Sequence, residues 1–581
     1  MADQPDEFIT TIRAKCRDCY KCLRSCPVKA IKVEPGDLPH ELHARVLPDR
    51  CILDGRCVLV CPQQAKKVSK DTDTVKSMLI RGDRVAVSLA PSFPAAFSGD
   101  PLKIPSALRR LGFHYVQETA IGAEMVAAEH QRLRAAGCRP LITSSCPAVV
   151  NLIQCHYPEA IPFLAPVVSP MIAHGRYLKQ LLPDHRVVFI GPCIAKKHEM
   201  GVADLAGAVD AVLTFEELAA WLREAEIDLE ALAPGGFDGI SPNWARLFAV
   251  DGGTLRTAAL STDILSDEAQ ALSGLEKCIE VIQNVVRGSG DLPDLIELVS
   301  CEGGCVSGPM STGSQDLFVR RQRVLRYAAE RARATSERAE DGPKVDLTRR
   351  YINKKPNLPL PDEDTIHEIL AKSGKFTVDD ELNCGACGYS TCREKAIAVF
   401  QGLADPEMCI PYMRQRAESM SALIVSSTPN GIIVTSPDET IIDINPSAER
   451  MFRTTRQKAV GLKLGALIDP VHFRQVIKSR QLLHAEVAYP ELELATRQTI
   501  FWEDGQQVAV GIFANCTEEK RQADRVNQLR NETLEKAQGV ISKQMEVAQK
   551  IASLLGETTA ETKVLLTKLM RVMRDEDGEP K

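Results

Sequence analysis

The sequence predicts a multidomain chain that mixes α/β and α+β folds, and three observations carry that prediction. The first is length: 581 residues make about three to five domains. The second is a trio of short apolar runs, each ended by cysteine. Leu141 to Ser145 ends at Cys146, Val187 to Pro192 ends at Cys193, and Leu295 to Ser300 ends at Cys301–Glu302–Gly303–Gly304–Cys305. The third is clustering of thiols: of 19 cysteines, 18 lie before residue 410 and only Cys516 follows.

Each apolar run reads as a buried parallel strand. In open α/β sheets the carboxyl ends of strands meet in a crevice that usually holds the ligand. Cys146, Cys193, Cys301 and Cys305 can therefore converge on one pocket. Thiolates are soft ligands and suit iron–sulfur clusters. The bland alternative is four ordinary buried cysteines at strand ends. Gly303 and Gly304 carry no side chain, which lets the backbone approach a bulky cofactor.

Charge and composition narrow the classes. The net charge of −6 is small for this length, and no strongly basic stretch points to nucleic acid. The acidic start, Met1 to Glu7, has no apolar run behind it and does not read as a secretory signal. No run of about 18 apolar residues occurs, so no membrane span is expected. A cytoplasmic chain is expected, in which cysteines serve clusters rather than disulfides.

Residues 1–78 come first. Cys16, Cys19, Cys22 and Cys26, followed by Pro27, make C-x2-C-x2-C-x3-C-P, a 4Fe–4S spacing. Zinc is the structural alternative, but its cysteine pairs are usually further apart. A second motif runs Cys51, Asp54, Cys57, Cys61, Pro62, with Asp54 where a cysteine would stand. Together the motifs resemble a two-cluster ferredoxin. That resemblance implies one cluster on Cys16, Cys19, Cys22 and Cys61, and another on Cys26, Cys51, Cys57 and Asp54. A carboxylate is a harder, weaker partner for cluster iron than a thiolate. That corner iron is expected to be exchangeable, leaving a 3Fe–4S form; the alternative is a loop acid that ligates nothing.

Residues 79–345 follow. Arg84 to Ser92 reads as a strand and its exit loop, Ile104–Gly112 and Gly122–Ala136 as helices, and Arg320–Glu340 as a solvated helix. Strand and helix alternate, which argues parallel pairing. The segments Thr143 to Pro147, Gly191 to Glu199 and Glu297 to Gly308, with Ser169–Pro170 between, resemble in order the signature motifs of the [FeFe]-hydrogenase catalytic domain. The resemblance implies an H-cluster, a 4Fe–4S cubane joined to a two-iron unit carrying CO, cyanide and a dithiolate. It gives Cys146, Cys193, Cys301 and Cys305 to the cubane, Cys305 also to the bridge, and Lys196 to a cyanide. The alternative for Lys196 is a surface lysine beside Lys197. Cys138, Cys155 and Cys278 match no motif and read as ordinary buried thiols.

The departures from that family matter. Ser145 stands where efficient members carry a proton-delivering cysteine. A hydroxyl stays protonated where a thiol titrates near pH 8–9, so serine is a poor shuttle. Gly191 and Val299 stand where the family has methionines. Acidic residues of the proton path are not clearly matched around Glu129 and His130. These departures imply that hydrogen binds but turns over slowly.

Residues 346–415 read as a proline-rich linker from Lys354, a helix at Thr365–Ser373, and a further cluster. Cys384, Cys387, Cys392 and Cys409 make C-x2-C-x4-C-x16-C, which resembles the small 4Fe–4S domain of corrinoid iron–sulfur proteins. Zinc is again the minority alternative. Residues 416–520 read as strand, turn, strand, an Asn445-capped helix with Pro446 at its first position, and a hairpin around Glu503 to Gly505. The order resembles a PAS domain, with no clear ligand; Cys516 and His484 read as structural or surface residues. Residues 521–581 read as a helical output. Leu534, Ala537, Ile541, Ala548, Ile551 and Leu555 fit a heptad seam with Gln544 as its polar exception, and Gly556 weakens it. It reads as a homodimer stalk or a helix packed on the PAS domain.

The fold class is thus a ferredoxin-like two-cluster module, an [FeFe]-hydrogenase-type α/β domain, a small 4Fe–4S domain, a PAS domain and a C-terminal helix. The resemblances imply H2 and protons as reactants, a ferredoxin or other redox partner, and an unidentified downstream signalling protein. Three functions follow: a slow, hydrogen-sensing protein that reports through PAS, a working ferredoxin-linked hydrogenase, or an iron–sulfur relay lacking the two-iron unit.

Overall fold

The computed structural model describes residues 7–35, 42–137, 140–258, 268–288, 292–312, 316–334, 343–555 and 560–575. Cys138, Gly556 and the segment 335–340 lie outside the described residues. The chain divides into two units, Met1–Met413 and Arg414–Lys581. No described helix is long and apolar enough to cross a membrane.

The first unit opens with two small antiparallel ribbons. β1 (Ile9–Thr11) pairs with β4 (Lys66–Val68), and β2 (Ile31–Pro35) pairs with β3 (Leu42–Val46). The strands lie outside the two cysteine loops, each of which runs into a short helix, Lys21–Ser25 or Arg56–Leu59.

Two parallel sheets follow. One has the order β6-β5-β8-β9, built from β5 (Arg84–Leu89), β6 (Tyr115–Glu118), β8 (His185–Gly191) and β9 (Ala211–Thr214). The other has the order β10-β11-β7, built from β7 (Leu141–Ile142), β10 (Ala269–Ser273) and β11 (Leu295–Val299). Both are all-parallel. The three cysteine-ended runs are therefore divided between two sheets, not gathered at one sheet's edge. The strand at Leu141 is only two residues long, because Thr143 already turns toward the helix Pro147–His156.

Continuous apolar runs suit strands covered on both faces. Val187, Val188 and Ile190 are fully buried, each worth about 1.5–3 kcal/mol. The helices read at Ile104–Gly112 and Gly122–Ala136 appear as Lys103–Arg110 and Ala120–Ala135. The helix expected to be solvated spans Leu317–Ala334, and it buries Val324, Tyr327 and Ala328. Those three lie at i, i+3 and i+4, a core-facing stripe that the flanking arginines conceal in the sequence.

The stretch ahead of the proline-rich linker is structural. Residues 343–354 form no regular element yet are bonded to the parallel domain. Val168 N–H donates to Leu347 O at 2.9 Å and Arg349 N–H to Pro166 O at 3.0 Å. The small domain then adds helices Glu363–Ala371 and Cys392–Phe400, each capped at its N-terminus by a side chain, Asp362 and Thr391.

The second unit holds a five-stranded antiparallel sheet of order β13-β12-β16-β15-β14. Its strands are β12 (Gly431–Thr435), β13 (Ile441–Ile444), β14 (Leu483–Tyr489), β15 (Leu494–Glu503) and β16 (Val508–Asn515). Asn445 caps the helix Pro446–Met451 by accepting Ala448 N–H at 2.9 Å. Helix Thr517–Leu555 follows β16 and leaves Leu534 and Ile551 of the seam exposed. Cys516 is buried and His484 exposed.

Candidate metal centre

The carboxyl ends of β7 and β11 from one sheet, and of β8 from the other, face a cavity of about 90 Å³, room for several waters. Cys146, Cys193, Cys301 and Cys305 all line it, as do Ser145 and Lys196. The Ser300 hydroxyl lies 3.7 Å from the Cys146 sulfur and 3.9 Å from that of Cys301. Cys305 is exposed and lines the cavity.

Four thiols crowded around one cavity resist ionising together. Burial pushes Cys193 up to about 11 and Cys305 up to about 12, and Cys301 well above its ordinary value. For Cys301 the neighbours Cys305, Cys146 and Cys193 add to that rise. Thiolates so crowded need cations to stabilise them, and metal binding releases their protons. The donor set fits a cubane on chemistry alone: four soft ligands, one cavity, and a buried Ser145 Oγ without a hydrogen-bond partner.

Gly303 and Gly304 are also required by the backbone. Their φ values are +71° and +99°, a region that favours glycine. A Cβ at Gly304 would lie 2.6 Å from Ala249 O. Val299 lines the cavity, whereas Gly191 stands behind Phe189, whose ring occupies the space a side chain there would need.

Lys196 is not a surface lysine. It is buried and pairs with Glu199 at 2.9 Å. Its neighbour Lys197 is buried too, between Asp71 and Glu217 at 3.0 Å each. Glu297 is a site residue the sequence reading passed over. It is fully buried on the cavity wall, and burial pushes its carboxyl up to about 7. The signal was there, an acid inside the apolar run Leu295–Val299. Glu129 instead faces outward to Arg132 at 2.6 Å, and His130 is buried with neither ring nitrogen bonded.

The N-terminal cysteines sort into two neighbourhoods. Burial raises Cys51 to about 12 and Cys26 to about 11, and Asp54 is a charged neighbour of both. Burial also pushes Cys57 far up, with Cys51, Asp54 and Cys26 nearby. Cys22 has Cys16 and Cys19 as its cysteine neighbours. Cys26 and Cys61 play equivalent local parts: each sulfur accepts a backbone N–H four residues on, from Ala30 at 3.3 Å and Ala65 at 3.2 Å. Asp54 Oδ2 is buried without a hydrogen-bond partner, and desolvation raises the carboxyl to about 6. A further grouping, Cys16, Asp18 and His43, places three donor atoms within 4.8 Å of one another.

This module packs on the segments that carry Cys193 and Gly308 of the cavity. Gly55 packs so closely that a Cβ there would meet Pro309 at 2.5 Å and Ile194 at 2.9 Å. Arg56 pairs with Glu276 and lies near Asp54 at 3.7 Å. The last four predicted ligands also converge: Cys384, Cys387, Cys392 and Cys409 line one small cavity. Lys375 Nζ donates to the Cys409 sulfur at 3.3 Å, and Cys392 N–H to Asn383 at 2.7 Å. Their loop packs on the N-terminal module, where Arg24 donates to Ala386 O. Tyr389 sits in the same apolar core as Cys22 and Cys26.

Comparison with known proteins agrees with this anatomy. Residues 83–309 match the family "Iron only hydrogenase large subunit, C-terminal domain". Residues 15–65 match the 4Fe-4S dicluster domain, 380–411 an Fe-S cluster family, and 419–488 the PAS fold. NADP-reducing hydrogenase subunit HndD of Solidesulfovibrio fructosivorans is 27% identical over 52% of the chain and 63% of its own length. Iron hydrogenase 1 of Clostridium pasteurianum is 26% identical over 63% of the chain and 76% of its own length. Cytosolic iron-sulfur assembly component 3 of Mus musculus is 26% identical over 33% of the chain and 47% of its own length. Under two thirds of the first relative is thus spanned. The chain is an [FeFe]-hydrogenase-like protein that also carries 4Fe–4S domains and a PAS domain.

Proposed function

We propose that the protein binds H2 at an H-cluster, turns it over slowly, and passes the redox state through its iron–sulfur clusters to the PAS domain as a signal. Cys146, Cys193, Cys301 and Cys305 would hold the cubane, and Lys196, on the same cavity wall, would offset the negative charge of the two-iron unit. When bound, that group supplies the conversion between H2, protons and electrons. The chain's own part is to enclose the group, offset its charge and control proton access. The observation that carries slow turnover is Ser145, a buried hydroxyl on the cavity wall. It cannot deprotonate near neutrality, so it relays protons poorly.

Electrons have an intramolecular route. The Cys51–Asp54–Cys57 loop packs on Ile194 and Pro309, next in sequence to the cavity residues Cys193 and Gly308, and the 384–409 site lies against the N-terminal module. Cys16, Cys19, Cys22 and Cys61 take one N-terminal cluster, and Cys26, Cys51, Cys57 and Asp54 the other. The exposed seam of helix Thr517–Leu555, about 58 Å long at 1.5 Å per residue, supports a parallel homodimer as the output form in the cytoplasm. The chain passes its signal to a separate protein.

A second reading is an iron–sulfur relay in which no two-iron unit is inserted. The similarity to a cytosolic iron–sulfur assembly component favours it. Infrared spectroscopy of protein supplied with the two-iron unit, under H2 and then inert gas, separates the readings. CO and cyanide bands that shift with H2, with slow turnover, support the proposal. Shifting bands with fast turnover make it a working, ferredoxin-linked hydrogenase. Cubanes without such bands leave the relay.

A further inference from the structure

Residues 345–354 cross the parallel domain and lead out of it toward the small cluster domain. Besides its two backbone bonds at Leu347 and Arg349, this strap pairs Thr348 with Val167 in an antiparallel bridge. Lys354 N–H donates to Gln154 O at 2.9 Å, Gln154 Nε2 to Ile352 O at 2.9 Å, and Tyr351 OH to Val167 O at 2.7 Å. Its one deeply inserted charge is Arg349, whose side chain is 5% exposed and lies 4.9 Å over the Tyr351 ring.

Arg349 Nη1 meets Glu199 Oε1 at 3.0 Å, while Lys196 Nζ and Ser169 Oγ each meet Glu199 Oε2 at 2.9 Å. The Glu199 side chain is 1% exposed. Burial alone would raise its carboxyl, but Lys196 and Arg349 outweigh burial and hold it below the ordinary value. The group is therefore two cations on one anion, with a surplus positive charge out of water. Such a surplus is costly unless a further anion offsets it. Lys196 points the group at the cavity wall, where a thiolate-bound cubane would be that anion. Glu297, the carboxyl that lines the wall itself, is engaged elsewhere, accepting Leu255 N–H at 3.2 Å.

We propose that Arg349 is a positioning residue of the cavity: through Glu199 it fixes Lys196 at the wall and supplies the surplus positive charge, so the strap docks more tightly when the cluster gains an electron. The inference rests on the cubane reading of Cys146, Cys193, Cys301 and Cys305. Coupling is reciprocal: if the docked strap favours the reduced cluster, reduction favours the docked strap. The segment leading to the C-terminal modules thereby reads the charge of the site.

The test uses the full chain reconstituted with iron and sulfide, without the two-iron unit, titrated with dithionite and followed by EPR. The relevant signal is the one that Cys301→Ala abolishes; its absence from the parent protein would overturn the cubane reading itself. With that signal present, Arg349→Met is expected to lower its midpoint potential, and Arg349→Lys to restore most of the shift. A second measurement needs no variant. Amide exchange at Val168 and Arg349, the two N–H groups of the strap ladder, is expected to slow on reduction. An unchanged midpoint in a folded Arg349→Met protein overturns the inference, as does equal exchange in the two redox states.

Discussion

Arg24 of the first cysteine loop donates from Nη1 to the carbonyl of Ala386 at 3.0 Å, across 362 residues of sequence. The same guanidinium holds its own loop, donating from Nη2 to Cys19 O at 3.0 Å. One side chain thus ties two cluster loops together. Arg24→Ala removes both bonds at an exposed site, where solvent screening cuts such a charged bond to about 1 kcal/mol. Amide exchange across residues 385–389 of the cluster-loaded protein is expected to rise about five-fold. Unchanged exchange would mean that the apolar contact of Gly388 with Leu23 suffices alone.

Ser145→Cys places a titrating thiol at the cavity wall beside Cys146. Positioned acid–base groups contribute about 10²-fold or more. Hydrogen evolution by protein with complete clusters is expected to increase by that order. Equal rates in the two proteins would refute proton delivery as the limit on turnover.

Asp54 brings a carboxylate to the neighbourhood of Cys26, Cys51 and Cys57. Mild oxidation of the parent protein is expected to release one iron and give a 3Fe–4S EPR signal. Asp54→Cys is expected to suppress that signal by supplying the missing thiolate. Persistence of the signal at full strength in the variant would show that residue 54 does not hold the corner.

His130 is fully buried, and burial pushes it down to about 4 from an ordinary 6.5. Between those values the unfolded chain binds a proton that the folded chain refuses, so stability falls as pH falls through 6.5. The loss amounts to about 2 kcal/mol at pH 5 and flattens below pH 4. Chemical unfolding of wild type and His130→Phe at pH 7 and pH 5 measures it. The variant is expected to lose less stability on acidification. His174, pushed to about 3 by burial, adds a slope that both proteins share, so equal losses would assign the acid sensitivity elsewhere.

Much of the site was legible because cysteine spacing and strand ends are local patterns. The three apolar runs, the C-x2-C-x2-C-x3-C-P motif and the Asn445 cap each sit within about ten residues of sequence. What stayed hidden is long-range. Nothing in Leu141–Ile142 says that it pairs with Leu295–Ile296 rather than with β8, so the strands of two sheets looked like those of one. Arg349 resembled any arginine of a polar connector, because its partner lies 150 residues away. The buried stripe of Leu317–Ala334 was masked by arginines, of which Arg320 bonds to Val306 O and Arg321 pairs with Asp251.

The packing of residues 384–389 on the first module also has a consequence for synthesis. The N-terminal loops leave the ribosome first, while the segment that covers them follows after 362 residues. At about 5–20 residues per second, that interval is roughly 20–70 s. Throughout it, one flank of the nascent module is bare to oxygen and to other thiols. Iron delivered during that window would meet an unfinished shelter, so loading after the chain is released is the safer order for this architecture.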